Sequence, residues 1–262
     1  MEWKLDRVRT VSEESEAIKF IEVYMQYDNK EYNTIELGKA LVTNNIIKDP
    51  VEDNMSSYEV EKLYSKRWGA YIGIFTSNGF GYTEKINGNK KIFRISEIAK
   101  QFINGEISYN DFIISQLSRF QFPKPNGKLY IENDKDNNVK PFIVILKTLI
   151  ILYSQSKYQA WIDEYEIIEY LEKHKYNGDY LELVNRIIRD RKNNKSRIVN
   201  FYGRDILMNK CLATGLILKE EHKYYLNIEK IEKVQNIITD NENDVFYGNK
   251  EDWFEFIGRR MQ

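Results

Sequence analysis

Cysteine, histidine and proline are scarce in this sequence. Among 262 residues there is one cysteine, Cys211, with two histidines and four prolines. A single cysteine excludes an internal disulfide and a cysteine-rich zinc site, and it is typical of intracellular proteins. The histidines, His174 and His222, lie in polar stretches without a serine or cysteine partner. We therefore interpret them as surface side chains rather than as catalytic groups.

Long apolar runs are absent as well. The N-terminal stretch lacks the apolar core of a signal peptide, and the most apolar run, PFIVILKTLIILY from Pro141, is too short to span a bilayer and contains Lys147. We predict that this run forms a buried helix in a soluble, cytoplasmic protein that makes no membrane contact. Glycine-rich phosphate loops of the GxxxxGK[ST] or GxGxxG type are also missing. Abundant Lys, Asn, Ile and Tyr suggest a bacterial, AT-rich coding sequence.

Net charge is close to zero, because 39 basic residues are matched by 40 acidic ones. The charges are nevertheless segregated. Between positions 186 and 210 there are two acidic residues and eight basic ones, which are Arg186, Arg189, Arg191, Lys192, Lys195, Arg197, Arg204 and Lys210. A basic segment in a neutral protein indicates phosphate binding, and a solvated helix surface is the alternative interpretation.

Two stretches have the pattern of a β-hairpin followed by the start of a helix. They are GFGYTEKINGNKKIFRI at 79–95 and GLILKEEHKYYLN at 215–227. Helical patterns precede both of them, and the order helix, glycine, hairpin, helix is typical of a winged helix-turn-helix module. We predict a mainly α fold with short β-hairpins (α+β), built from tandem winged helix-turn-helix modules.

The boundary between the modules is predicted in the polar, asparagine-rich stretch KPNGKLYIENDKDNNVK. The first module, with an N-terminal helical extension, is expected over residues 1–125. A linker follows at 126–140, and the second module with a C-terminal tail is expected over 141–262. Two winged helices in tandem can read a longer site on double-stranded DNA, although such pairs also serve as protein–protein interaction modules.

Several short motifs follow one another in an order that is more specific than any one of them. FRISEIAKQFINGEISYNDFIISQLSRFQFPKPN precedes VKPFIVILKTLIIL, and YGRDILMNKCLATGLILKEEHKYYLN precedes VFYGN at 245–249. Over residues 59–250 this order resembles the N-terminal recognition region of type IIS and nicking restriction endonucleases of the AlwI and FokI kind. The residues that match the family's central motif are Leu117, Arg119, Phe120, Gln121, Phe122 and Pro123, followed by Pro141 and Phe142.

The resemblance implies a role in restriction–modification. The chain would be the double-stranded DNA recognition domain or subunit of a type II, IIS-like, restriction endonuclease. A separate nuclease domain or subunit of the PD-(D/E)xK type, with Mg²⁺ as its metal, would be the partner outside this chain. No cofactor is then expected in this chain itself.

A nuclease centre within the chain is the alternative. Four acid-x-Lys triplets occur, at Glu2–Lys4, Asp28–Lys30, Asp190–Lys192 and Glu221–Lys223. The chemistry needs paired carboxylates on a buried strand to hold Mg²⁺. The first triplet has no acid upstream, the second and third fall at the ends of helical patterns, and the fourth falls in a hairpin turn. We assign no catalytic residue and no metal ligand, and whether the chain cleaves DNA by itself stays open.

Candidate DNA contacts are assigned to one helix and the hairpin of each module. Arginine and asparagine can hydrogen-bond guanine and adenine edges, and lysine or a helix start can hold a phosphate. Each of these residue types is also ordinary on a solvent-exposed surface. The candidates are Lys66, Arg67, Lys85, Asn87, Asn89, Lys90 and Lys91 in the first module, and Lys195, Ser196, Arg197, Asn200, Tyr202, Arg204, Asn209 and Lys210 in the second.

Overall fold

The structure is a computed structural model that describes residues 2–3, 13–32, 34–46, 48–49, 54–66, 79–85, 91–123, 130–132, 134, 137–193 and 198–261. Within these ranges the fold is mainly helical with small antiparallel sheets, which confirms the predicted α+β class. None of the helices described in these ranges has the length and apolar character needed to cross a membrane.

The helices and strands are numbered in chain order. They are α1 Glu14–Met25, α2 Thr34–Thr43, α3 at 57–66, β1 Gly81–Lys85, β2 Lys91–Ile95, α4 Glu97–Ile103, α5 Tyr109–Arg119, α6 Pro141–Gln155, β3 Trp161–Asp163, α7 Glu164–Glu166, α8 Tyr180–Lys192, α9 Arg204–Ala213, β4 Ile217–Glu220, β5 Lys223–Leu226, α10 Ile231–Asn241 and α11 Lys250–Gly258. Helix α7 continues as a π-helical turn over Ile167–Leu171.

The chain divides into two compact units. The larger unit comprises residues 1–6 and 113–256, and the smaller unit comprises 7–112 and 257–262. This division falls inside α5 and α11, and so differs from the predicted modules 1–125 and 141–262. The end of the predicted linker is packed into the larger unit, because Val139 and Phe122 exchange two backbone hydrogen bonds of 2.7 and 2.8 Å and both side chains are buried.

The smaller unit is organised around the first hairpin. Strands β1 and β2 pair antiparallel, which confirms the predicted hairpin, and Gly81 lies opposite Ile95. The buried ring of Phe93 on β2 stacks on Tyr24 of α1 with 4.9 Å between centroids. Ser96 then starts α4, because its hydroxyl accepts a hydrogen bond from Ala99 N and donates one to Gly79 O. The hairpin is thereby joined to α1 through Phe93 and to α4 through Ser96.

The larger unit surrounds the predicted apolar helix. Nine residues of α6 are buried, which confirms the prediction for this run. Strands β4 and β5 form the second predicted hairpin, and β3 pairs with β5, so the sheet order is β3-β5-β4. Lys147 on α6 reaches Glu242 at the end of α10, with 3.0 Å between Nζ and Oε2.

A buried ion pair fixes the start of α9. Arg204 is 4% exposed, and its guanidinium donates to both oxygens of the buried Glu172, with Nε–Oε1 at 2.6 Å and Nη2–Oε2 at 2.8 Å. The backbone N–H of Trp3 donates to the same Oε1 at 2.7 Å, and the Trp3 ring is buried. The hydrogen bonds between Arg204 and Glu172 raise the pKa of Arg204. One carboxylate thus joins three separate segments of the chain.

A second arginine pair holds the end of α8. Arg191 donates to both oxygens of the buried Glu166, with Nε–Oε1 at 2.6 Å and Nη2–Oε2 at 2.8 Å. Its guanidinium also lies over the ring of Trp161, 3.6 Å from the centroid. Burial raises the pKa of Glu166, and the hydrogen bonds from Arg191 partly oppose that rise. The charges of Arg191 and Glu166 are therefore used to bind each other inside the unit.

The two histidines differ in environment. The side chain of His222 is 83% exposed, which agrees with its interpretation as a surface residue. His174 is half-buried, its ring packs edge-on against Tyr180 at 4.5 Å, and its Nε2 atom is covered. The interpretation of His174 as a surface side chain is therefore wrong. Burial lowers the pKa of His174, and the charge of Lys147 lowers it further.

The Glu172–Arg204 pair predicts a specific mutational pattern. Arg204→Ala should lower the free energy of unfolding by about 3–5 kcal/mol, because it leaves a buried carboxylate without its partner. Replacing both residues with methionine should recover most of that loss, since no buried charge then remains. Urea unfolding followed by circular dichroism measures both. The control Arg189→Ala removes an exposed arginine, and an equal effect of that control would contradict the assignment.

His174 predicts a pH-dependent loss of stability. Its folded pKa is lowered, so the unfolded state binds more protons as pH falls through the unfolded value of about 6.5. Folding stability should therefore be full above that pH and decline as pH falls toward the folded pKa. Unfolding free energies at pH 7.5 and 5.5 should differ less in His174→Gln than in the wild type. His222→Gln is the control. If the difference in unfolding free energy between pH 7.5 and 5.5 is the same in His174→Gln and His222→Gln, the prediction is wrong.

Candidate nucleic-acid interface

The basic segment between Arg186 and Lys210 is divided between interior and surface. Arg191 and Arg204 point inward, where Glu166 and Glu172 neutralise them. Arg186, Arg189 and Lys192 are exposed on α8, and Lys210 is half-buried on α9. Lys195 and Arg197 lie outside the described residues. The charge available for phosphate is therefore smaller than the sequence suggests, and among described residues it is concentrated on α8.

Helix α8 presents its basic residues for a simple reason. Asp179 caps its start by accepting hydrogen bonds from Leu181 N and Glu182 N, and an apolar stripe of Leu183, Val184 and Ile187 is buried. The opposite face is left for solvent, and the last turn carries Arg189 and Lys192. Cations in this turn are favoured by the negative end of the helix dipole. The C-terminal end of α8 is thus an exposed basic surface.

Helix α9 follows a turn that its sequence specifies. Gly203 takes φ +81°, a left-handed conformation that suits glycine, and Asn200 Oδ1 accepts a hydrogen bond from Tyr202 N at 3.1 Å. The helix buries Leu207, Met208 and Cys211 together with Arg204. Its exposed stripe is Asp205, Asn209 and Ala213, at spacings of four residues.

One short segment holds both helix ends. Glu166 binds the last turn of α8 through Arg191, and Glu172 binds the first turn of α9 through Arg204. These two carboxylates are six residues apart in one helical segment, which is π-helical over Ile167–Leu171. The last turn of α8 and the first turn of α9 are therefore both anchored on this one segment of the larger unit.

The predicted contacts in the second module separate into three groups. Asn200, Tyr202 and Asn209 are exposed, and Lys210 is half-buried, so all four lie at the surface near the start of α9 or along it. Lys195, Ser196 and Arg197 lie outside the described residues. The assignment of Arg204 as a DNA contact is corrected, because its guanidinium is buried against Glu172 and does not face solvent. The sequence signal for this was its helical phase, because Arg204, Leu207, Met208 and Cys211 share one face.

The predicted contacts in the first module are described in part. Lys66 is exposed on α3. Lys85 ends β1 and Lys91 begins β2, and the two are register partners in the hairpin, so both belong to the predicted wing. Arg67, Asn87, Asn89 and Lys90 lie outside the described residues.

Two of the motifs that carried the family resemblance meet in space. Gln121 is 0% exposed, and its amide donates to Phe246 O and accepts from Phe246 N, each at 3.0 Å. Tyr130 adds a hydrogen bond from its hydroxyl to Gly248 O at 2.7 Å. Sequence reasoning missed this contact, which joins positions 125 residues apart. It gives the QFP and VFYGN motifs a structural role within the larger unit.

The acid-x-Lys triplets do not assemble a metal site. Asp28 accepts a hydrogen bond from Ile95 N, Asp190 accepts one from the Tyr170 hydroxyl, and Glu221 lies in the β4–β5 turn at φ +52°. Among the residues that the structure describes, no three His, Cys, Asp or Glu side chains are grouped as metal ligands. We derive no cleavage step from the described residues.

Comparison with known proteins places the chain in a family. No curated protein is significantly similar to it. One solved structure with a similar fold is the BpuJ1 endonuclease binding domain, crystallised in complex with pyrene- and phenanthrene-modified DNA. That similarity covers 92% of this chain and 91% of the other, with a TM-score of 0.61 and 15% sequence identity. The family model of the AlwI restriction endonuclease matches residues 76–255, more than half of the sequence. The chain therefore belongs to the AlwI restriction endonuclease family.

Proposed function

We propose that this chain is the part of a type IIS restriction endonuclease that recognises a specific sequence in double-stranded DNA. The family membership supports the restriction role, and the BpuJ1 domain, which has a similar fold, was crystallised with DNA. The observation that carries the proposal is the pairing of an exposed basic helix end with an exposed polar helix stripe. On the larger unit the first consists of Arg189 and Lys192 of α8, and the second contains Asp205 and Asn209 of α9.

We further propose that each unit contains a winged helix. In the larger unit α9 immediately precedes the β4–β5 hairpin, and β3 completes the sheet in the order β3-β5-β4. Helix α9 would enter the major groove, and the hairpin would lie against the adjacent backbone as the wing. In the smaller unit β1–β2 would be the wing, and Lys66 would contact DNA with the other candidates of the first module.

The proposed division of labour follows from side-chain chemistry. Arg186, Arg189 and Lys192 would neutralise phosphates, which supplies affinity that does not depend on sequence. The exposed side chains of α9 would contact base edges, which supplies specificity. Asn209 is suited to this role, because its amide presents one donor and one acceptor side by side to an adenine edge.

Cleavage is proposed to need a Mg²⁺-dependent nuclease domain or subunit outside this chain. Paired carboxylates would hold the metal there. A complete nuclease with an acid-x-Lys site is the alternative, and Mg²⁺-dependent cutting of plasmid DNA by the purified chain would establish it. A third alternative is a protein–protein interaction module, for which no salt-dependent DNA retention is expected.

The first test is selection of binding sites from a random duplex library at ~50 and ~200 mM salt, a range over which phosphate-dominated affinity falls steeply. We expect enrichment of a short asymmetric motif. Absence of enrichment together with absence of salt-dependent retention would overturn the proposal.

A charge-removal variant tests the proposed phosphate surface. Arg189→Ala combined with Lys192→Ala should weaken binding to all duplexes alike and reduce the salt slope by roughly 0.9 for each phosphate that is no longer neutralised. The matched control is Lys19→Ala with Lys39→Ala, because both lysines are exposed on helices α1 and α2, outside the candidate contacts. Binding is measured by fluorescence anisotropy across salt concentrations. Equal slopes in the two double variants would show that α8 does not face phosphate.

A further inference from the structure

The exposed stripe of α9 contains an acid in surroundings suited to phosphate. Asp205 is exposed in the first turn, four residues before Asn209, and cations are exposed at the end of α8, which is anchored on the same short segment as the start of α9. Among the ion pairs of the described residues none includes Asp205. A carboxylate at such a place is repelled by the DNA backbone, so it does not contribute to general affinity.

We infer that Asp205 is a specificity-determining residue that reads a cytosine in the major groove by accepting a hydrogen bond from its N4 amino group. This rests on the proposed DNA recognition by α9. An ionised carboxylate only accepts hydrogen bonds, and in the major groove cytosine offers a donor without an adjacent acceptor on the same base. Guanine presents acceptors alone, which an aspartate carboxylate opposes.

The spacing of the stripe fits readout of nearby base pairs. Asp205 and Asn209 are separated by about 6 Å along the helix axis, and successive bases on one strand by about 3.4 Å. Both side chains point to the same face. Asn209 suits adenine, whereas Asp205 suits cytosine, so the two make different demands on positions a few base pairs apart.

A helix-dipole role for Asp205 makes a different prediction. An acid in the first turn stabilises any helix, and this effect is independent of the DNA sequence bound. If Asp205 had this role alone, its removal would change the stability of the protein and leave its base preference unaltered. Base preference is therefore the readout that separates recognition from a structural contribution.

The test is site selection repeated with Asp205→Asn in the whole chain. Asparagine has nearly the same shape but adds a donor and removes the charge. We expect the motif to be kept except at one cytosine position, where discrimination should fall by roughly tenfold or more. Affinity for unrelated duplexes should stay equal or rise, because one repulsive charge is gone. Asp240→Asn, an equal change of an exposed acid on α10, should select the wild-type motif.

The outcomes separate this inference from the proposed function. A wild-type motif selected with unchanged stringency by Asp205→Asn would overturn the role of Asp205 and leave DNA recognition standing. A wild-type chain that selects no motif and shows no salt-dependent retention would overturn both. Urea unfolding of each variant is measured alongside. Relaxed selection at one position by a variant with the wild-type unfolding midpoint would establish the role.

Discussion

The arrangement of the larger unit depends on two carboxylates in one short helical segment, Glu166 and Glu172. Each accepts a bidentate hydrogen-bonded pair from an arginine, Arg191 at the end of α8 and Arg204 at the start of α9. Removing either partner would leave an uncompensated buried charge, which is strongly destabilising. Bidentate geometry also restricts orientation more than a single hydrogen bond does. The surface offered by the two helix ends is thus set by residues that are themselves inaccessible.

This explains why the basic segment was only partly informative. Eight basic residues in 25 positions predicted a positive surface, yet two arginines neutralise buried glutamates instead. Helical phase identifies Arg204 as inward, because it shares a face with Leu207, Met208 and Cys211. Nothing comparable identifies Arg191, whose partners Glu166 and Trp161 come from 25 and 30 residues earlier. A local pattern cannot report a partner that folding supplies from elsewhere.

The parts of the fold that were predicted from sequence are those determined by short-range chemistry. Alternating side chains predicted both hairpins, and the unbroken apolar run predicted α6. The module boundary predicted at 126–140 stays a prediction, while the boundary between the two compact units falls inside the continuous helix α5, where composition does not change. The Gln121–Phe246 contact was missed because neither motif by itself indicates a distant partner. Only the folded chain brings the buried amide of Gln121 to a backbone 125 positions away.

Affinity and specificity make opposite demands on the α8–α9 surface. Every exposed cation attracts all duplexes equally, so adding arginines strengthens correct and incorrect complexes together. Discrimination needs groups that are stabilised only by the correct base and are destabilised by the others. In the proposed complex Asp205 has this property, since its carboxylate is repelled by the phosphates and only a base amino group supplies a hydrogen bond that offsets the repulsion. In the proposed complex the basic end of α8 would therefore bind DNA of any sequence, and the acidic first turn of α9 would disfavour most of those sequences.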